Sequence, residues 1–119
     1  MQSIANFSWY YADYSSFVVS SEASNYMISV SGYSYGNNIG DGFSFHDGMM
    51  FTTYDRDNDP WTNTAHRNNC AVLYGGGIWY KDCARVGLNA VRDINHKFRW
   101  HSSQMGTLQF QSTRMWLTC

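Results

Sequence analysis

The sequence predicts an α+β fold rich in β-structure and long loops, with little helix. β-branched and aromatic residues dominate the first third of the chain, part of it alternating apolar with polar. Runs rich in Gly, Asn and Asp separate the apolar segments. Aromatic residues make up 18% of the 119 residues, with nine Tyr and five Trp, which is the composition of an aromatic β core.

In chain order, "SSFVVS" (15–20) and "NYMISVSGY" (25–33) read as strands, the second setting Tyr26, Ile28 and Val30 against Met27, Ser29 and Ser31. Residues 20–24 between them are turn-like. "GYSYGNNIGDG" (32–42) reads as a loop. "FSFHDGMMFTTYD" (43–55) predicts one or two short strands around a hairpin at Asp47-Gly48. Residues 55–69 hold three Asp, four Asn and the sole Pro without an apolar run, and read as one long loop. "CAVLYGGGIWYKDC" (70–83) reads as a hairpin with a Gly-rich turn. Residues 84–100 are open between a short helix and loop, and "TLQFQSTRMWL" (107–117) suits a closing strand pair.

The composition also excludes functions. A formal net charge of -1, with Lys and Arg dispersed, argues against nucleic acid. No apolar run is long enough to span a bilayer. The first thirty residues carry no signal-peptide pattern, so a secreted protein would have lost its leader. Glu22 is the only glutamate and no Ser, His and Asp spacing matches a hydrolase, so an enzyme is not expected. His46 lies in a strand-turn and His101 follows Trp100, and nothing in the sequence singles out either as a base. Cys70, Cys83 and Cys119 allow one internal disulfide and leave one thiol, and their spacing to the four His disfavours zinc. Cys119 is open to being free or pairing with another chain. Asn6-Phe7-Ser8 is a glycosylation sequon.

"DRDNDPW" (55–61) puts three carboxylates on alternate positions. Three anions held close repel unless a cation sits among them, and oxygen ligands suit a hard cation. The other reading is a solvated turn closed by Pro60. An EF-hand is ruled out, since Pro60 stands where that loop needs Gly and His66 where it needs Glu.

The run "HDGMMFTTYDRDNDPW", followed by "NNCAVLYGGGIWYKDC", "GLN" and "TLQF", resembles the C-terminal globular domain of the fibrinogen family, which includes fibrinogen chains, ficolins, tachylectins, tenascins and angiopoietins. The resemblance covers roughly residues 10–110 and implies the C-terminal part of that domain, with 1–54 as its sheet portion and 55–119 as its loop-rich calcium and ligand-pocket portion. It implies a calcium ion held by the side chains of Asp57 and Asp59 and the carbonyls of Trp61 and Asn63, with Asp55 in support. Affinity would be of the extracellular class, on the order of 0.1 to 1 mM. It also implies a Cys70–Cys83 disulfide beside a recognition pocket built from Tyr74, Asp82, Cys83 and Trp100. A cis bond between Asp82 and Cys83 is implied too, a feature costing about 3 kcal/mol outside proline.

Three departures bear on these implications. "TNTAHR" extends the stretch between Asp59 and Cys70, where the carbonyl ligands fall. Ala84 replaces the His that follows the second cysteine in family lectins, and "LNAVRDINHKFRW" shortens the loop that closes their pocket. The N-terminal subdomain of a complete family domain has no counterpart here, so a sheet edge would be exposed or filled by another chain. The resemblance implies a calcium-stabilised extracellular recognition domain, lectin-like and binding acetylated glycans in innate defence. The alternatives are a protein-binding module meeting a receptor or matrix partner, as in angiopoietins and tenascins, and a truncated copy without ligand.

Overall fold

The computed structural model describes residues 1–34, 39–62, 68–89 and 98–118. Within them the chain forms two antiparallel sheets and one short helix. The first sheet has the order β1-β6-β5-β4, from β1 (Gln2–Ser3), β4 (Val86–Gly87), β5 (Phe98–Ser102) and β6 (Gly106–Ser112). The second is the hairpin of β2 (Asp13–Val19) and β3 (Ile28–Ser34).

The alternation in the first third produces β2 and β3 within two or three residues of the predicted spans. On β3, Ile28 and Val30 are buried while Ser29 and Ser31 face water, so the period of two carries the hairpin onto the core. Its turn is a single 3-10 turn at Glu22–Ser24, closed by Asn25 and Tyr26 at positive φ.

Residues 43–55 do not form the predicted hairpin. Phe43–His46 is a 3-10 turn, and Asp47-Gly48 docks on β3 instead of pairing two new strands. Asp47 Oδ1 accepts from Val30 N at 2.8 Å, and Gly48 N donates to Ile28 O at 2.9 Å. The side chain and backbone of this dipeptide thus satisfy the β3 edge, a pairing across distant sequence that local turn chemistry does not reveal.

The disulfide segment is likewise no simple hairpin. It begins as α1 (Cys70–Tyr74), capped by the Asn69 side chain, which accepts from Ala71 N at 2.7 Å and Val72 N at 3.1 Å. Gly75 ends it at φ +72°, the left-handed position that glycine fills without strain. Of the segment read as helix or loop, Val86–Gly87 and Phe98–Trp100 are strand, and residues 90–97 lie outside the described residues. The closing pair proves to be β6 with β5, joined by the tight 102–106 turn, and residues 113–118 continue without regular structure.

The core lies between the sheets and the disulfide segment. Ile28, Val30, Phe43, Ile78, Val86, Trp100 and Phe110 are among its buried side chains. Phe43 sits at its centre, edge-on to Phe17 at 5.9 Å and tilted against Trp79 and Trp100 at 6.3 and 6.2 Å. The 39–42 segment runs directly over β5, where Ser102 Oγ donates to Ile39 O and Trp100 Nε1 to Gly40 O. Gly40 has φ +77°, and a Cβ there would fall 2.5 Å from Ser102 Oγ. Gly40→Ala is therefore expected to lose about 2–4 kcal/mol, from left-handed backbone strain plus overpacking, read as a lower urea midpoint at unchanged slope.

Candidate ligand and metal-binding site

The acidic loop and the disulfide are built as one unit. Asp59 Oδ1 accepts from Trp61 N at 3.0 Å, and its Oδ2 accepts from Cys70 N at 3.0 Å, so one carboxylate ties the loop to the first cysteine. Asn58 braces the loop from behind, its backbone N–H donating to Thr52 Oγ1 at 3.0 Å and its Nδ2 to Phe51 O at 2.7 Å. Asp57 Oδ1 accepts from Asp59 N at 3.3 Å. Asp55 goes elsewhere, accepting from Thr53 Oγ1 at 2.7 Å on the exposed side. The three carboxylates do not converge: among the described residues no three His, Cys, Asp or Glu side chains are grouped to hold a metal. Asn63 lies outside the described residues.

Partial burial raises the proton affinity of Asp59 above that of an ordinary carboxylate; its two backbone donors oppose this, and the nearby charge and side chain of Asp57 raise it further. An acid whose pKa rises on folding works against the folded state at neutral pH. A hard cation between Asp57 and Asp59 would remove that cost. The donors present are all oxygen, two carboxylates with unused lone pairs and the carbonyl of Trp61 one alternate position further on, and they fit calcium by chemistry.

The disulfide joins Cys70 to Cys83 with a Cα separation of 5.3 Å, as the resemblance implied. Both cysteines are buried in the core cluster. Among the described residues every peptide bond is trans, Asp82–Cys83 included, contrary to the implied cis bond. The backbone turns there by another means: Lys81 N donates to Cys83 O at 2.9 Å, which leaves Asp82 exposed at the tip.

The four pocket residues have different surroundings. Tyr74 is half-buried and stacked on Tyr80 at 6.3 Å, and the Arg99 guanidinium lies 4.4 Å from the Tyr74 ring centroid. Trp100 is a core residue, 3% exposed, with its indole N–H spent on Gly40 O. It lines a cavity of about 720 Å³ between the N-terminal segment around Tyr10 and the tail at Met115–Leu117, which has neither Tyr74 nor Cys83 in its wall. Ala84 is buried and supplies no donor.

The feature that sequence reasoning missed is His46. Treated as a strand-turn residue, it is wholly buried at the junction of three segments. Its Nδ1 donates to Trp79 O at 2.7 Å, and its Nε2 accepts from Arg85 N and Val86 N, both at 3.2 Å. These partners require a neutral ring with the proton on Nδ1. Burial pushes its pKa down to about 4, helped by the charges of Arg99, Arg85 and Lys81 against the opposing Trp79 carbonyl. Three backbone groups on distant segments, all satisfied by one imidazole, leave no mark in sequence periodicity; only the apolar neighbours Phe43 and Phe45 hinted at burial.

The site is thus a disulfide-stapled loop region on antiparallel sheets, with an acidic loop fastened to the first cysteine. The chain matches the family described as fibrinogen beta and gamma chains, C-terminal globular domain, over residues 3–118, and it belongs to that family, whose members are binding or structural domains. It is 35% identical over 106 residues to the fibrinogen beta chain of Gallus gallus, covering 79% of this chain and 23% of that one. It is 36% identical over 111 residues to tenascin of Mus musculus, covering 88% of this chain and 5% of that one. The fibrinogen-like globe domain of human ANGPTL2 superposes with a TM-score of 0.69 at 33% identity, covering 94% of this chain and 49% of that one. The chain thus spans under a quarter of the length of these curated relatives and about half of that solved domain.

Proposed function

We propose that the chain is a calcium-stabilised extracellular module that recognises a protein partner through the surface around its disulfide loop. The observation that carries the choice of partner is the state of the pocket residues. Tyr74 has one ring face under Arg99 and stacks on Tyr80, Trp100 is buried with its N–H engaged, and Ala84 replaces a donor. An acetyl-binding cleft needs apolar walls and a convergent donor, and these residues supply neither together. The disulfide loop instead offers an exposed, rigidly backed surface. Kinship with tenascin and with a human angiopoietin-like globe domain supports the same reading. Calcium at Asp57 and Asp59, with the carbonyls of Trp61 and Asn63, would pin the loop that positions Cys70, and the ion serves structure rather than ligand contact.

Calcium at about ten times its Kd is expected to add about 1.4 kcal/mol. That is a rise of about 4–6 °C in Tm for a domain this size. Asp57→Asn, which keeps the loop's shape, should abolish the difference between calcium and chelator in a thermal melt. An equal rise in the variant would overturn the assignment of the metal. On N-acetylglucosamine resin the protein should pass unretained; retention released by free acetate would favour the acetylated-glycan reading instead.

A further inference from the structure

Eight Lys and Arg in a chain of net charge -1 do not attract polyanions as a whole, yet three of them gather beside the disulfide loop. β4 pairs with β5 so that Gly87 faces Arg99, and His101 N donates to Arg85 O at 2.8 Å. The period of two then puts Arg85 and Arg99 on the same face of the sheet. Diagonal neighbours of this kind are about 7–8 Å apart. Lys81 joins them through a shared ring: its Nζ lies 5.3 Å from the Phe45 centroid and the Arg85 guanidinium 4.4 Å from it. Arg99 rests at 4.4 Å on Tyr74.

Among the described residues the contacts of the three are to aromatic rings, and Arg99 Nε is buried without a hydrogen-bond partner, so its outer nitrogens are the ones left to a ligand. Ordinary surface cations wave freely or pair with a neighbouring carboxylate. These are held by aromatic rings, which fix the positions of the charges without neutralising them. A guanidinium held over a ring still has N–H donors to spare, and a guanidinium can grip a planar carboxylate with two parallel bonds. Asp82, exposed on the same loop, limits the net charge of the patch, and three cations are few for a sulfated polysaccharide.

From this juxtaposition we infer that Lys81, Arg85 and Arg99, mounted on Phe45 and Tyr74, form a carboxylate-recognition patch for an acidic peptide segment of a protein partner. It rests on the protein-binding reading above and specifies the partner's chemistry.

The test is fluorescence anisotropy of a fluorescein-labelled hexaglutamate peptide against the whole chain with its disulfide intact. Binding is expected at low ionic strength and should weaken as salt rises. Lys81→Gln with Arg85→Gln should weaken it about tenfold or more, since each lost charge-assisted bond contributes more than a neutral one. Lys81→Gln alone, a change on an exposed side chain, should give a smaller loss and covers the case in which the double variant does not fold. Unchanged affinity in a folded variant, or equal binding of hexalysine, would overturn the proposal. Tighter binding of a sulfated heparin hexasaccharide than of hexaglutamate would overturn the choice of a peptide. The calcium-dependent melt and the resin test are independent of this patch, so its failure would leave the broader reading standing and be distinguishable from its failure.

Discussion

His46→Ala is expected to destabilise the domain by about 4–5 kcal/mol, near the upper end for a single substitution. The loss has two parts. A buried side chain leaves a cavity, and the Trp79 carbonyl with the Arg85 and Val86 amides lose their partner together. Each buried group left unpaired costs about 1–3 kcal/mol. Against a total stability of about 5–15 kcal/mol, the variant should melt about 12–20 °C lower than the parent. Urea unfolding followed by tryptophan fluorescence gives the number; a loss below about 1 kcal/mol would mean the three contacts carry little net weight.

The same residue sets a pH dependence with a definite sign. In the unfolded chain the imidazole has its ordinary pKa near 6.5, and in the folded chain the pKa is about 4. The unfolded state therefore binds the extra proton first, and stability falls as pH drops from about 6.5 to about 4. The contribution present above that window and lost below it is about 3 kcal/mol. Urea midpoints at pH 7, 5.5 and 4.5 should decline accordingly, and a folded variant lacking the imidazole should show a flatter profile. A wild-type midpoint constant across this range would contradict the buried neutral ring.

Removing the disulfide has the second large effect. Cys70→Ala with Cys83→Ala opens a loop of sequence separation 13 and is expected to lose about 3 kcal/mol, through the entropy returned to the unfolded chain. Because Asp59 holds Cys70 N, the loss should extend to the acidic loop: the variant's melt should respond less to calcium than that of the parent. A reductant titration of the parent under native conditions should reproduce the shift. An unchanged melt after full reduction would show that burial of the two cysteines, not the bond, holds the segment.

What the sequence made legible was the part governed by local period and by a specific run of residues. β2 and β3 follow from alternation, since Ile28 and Val30 had to share a face. The pairing of Cys70 with Cys83 followed from the resemblance of the segments around it. Illegible were contacts whose partners are far apart in sequence. Asp47-Gly48 has every mark of a hairpin turn, yet its donors and acceptors are taken by the β3 edge, and that competition decides its conformation. The five-residue helix at Cys70 was hidden because the glycines after it suggested a turn, while the Asn69 cap that starts it lay in what read as loop. Tyr74 and Trp100 were both aromatic and near the right motif, but only a three-dimensional arrangement separates a ring in the core from one in a wall.

The pairing of β1 with β6 has a kinetic consequence. Gln2 and Gln111 meet through a hydrogen bond of 2.8 Å across a separation of 109 residues. Loop-closure entropy grows only slowly with length, so such a contact is tolerable at equilibrium, yet it must wait until non-local neighbours are in place. The hairpin of β2 and β3 can form while the chain is still emerging from a ribosome, and one edge of β1 can turn back on residues 7–10 as early, whereas its other edge waits until β6 has been made. During synthesis that second edge is open to any passing strand.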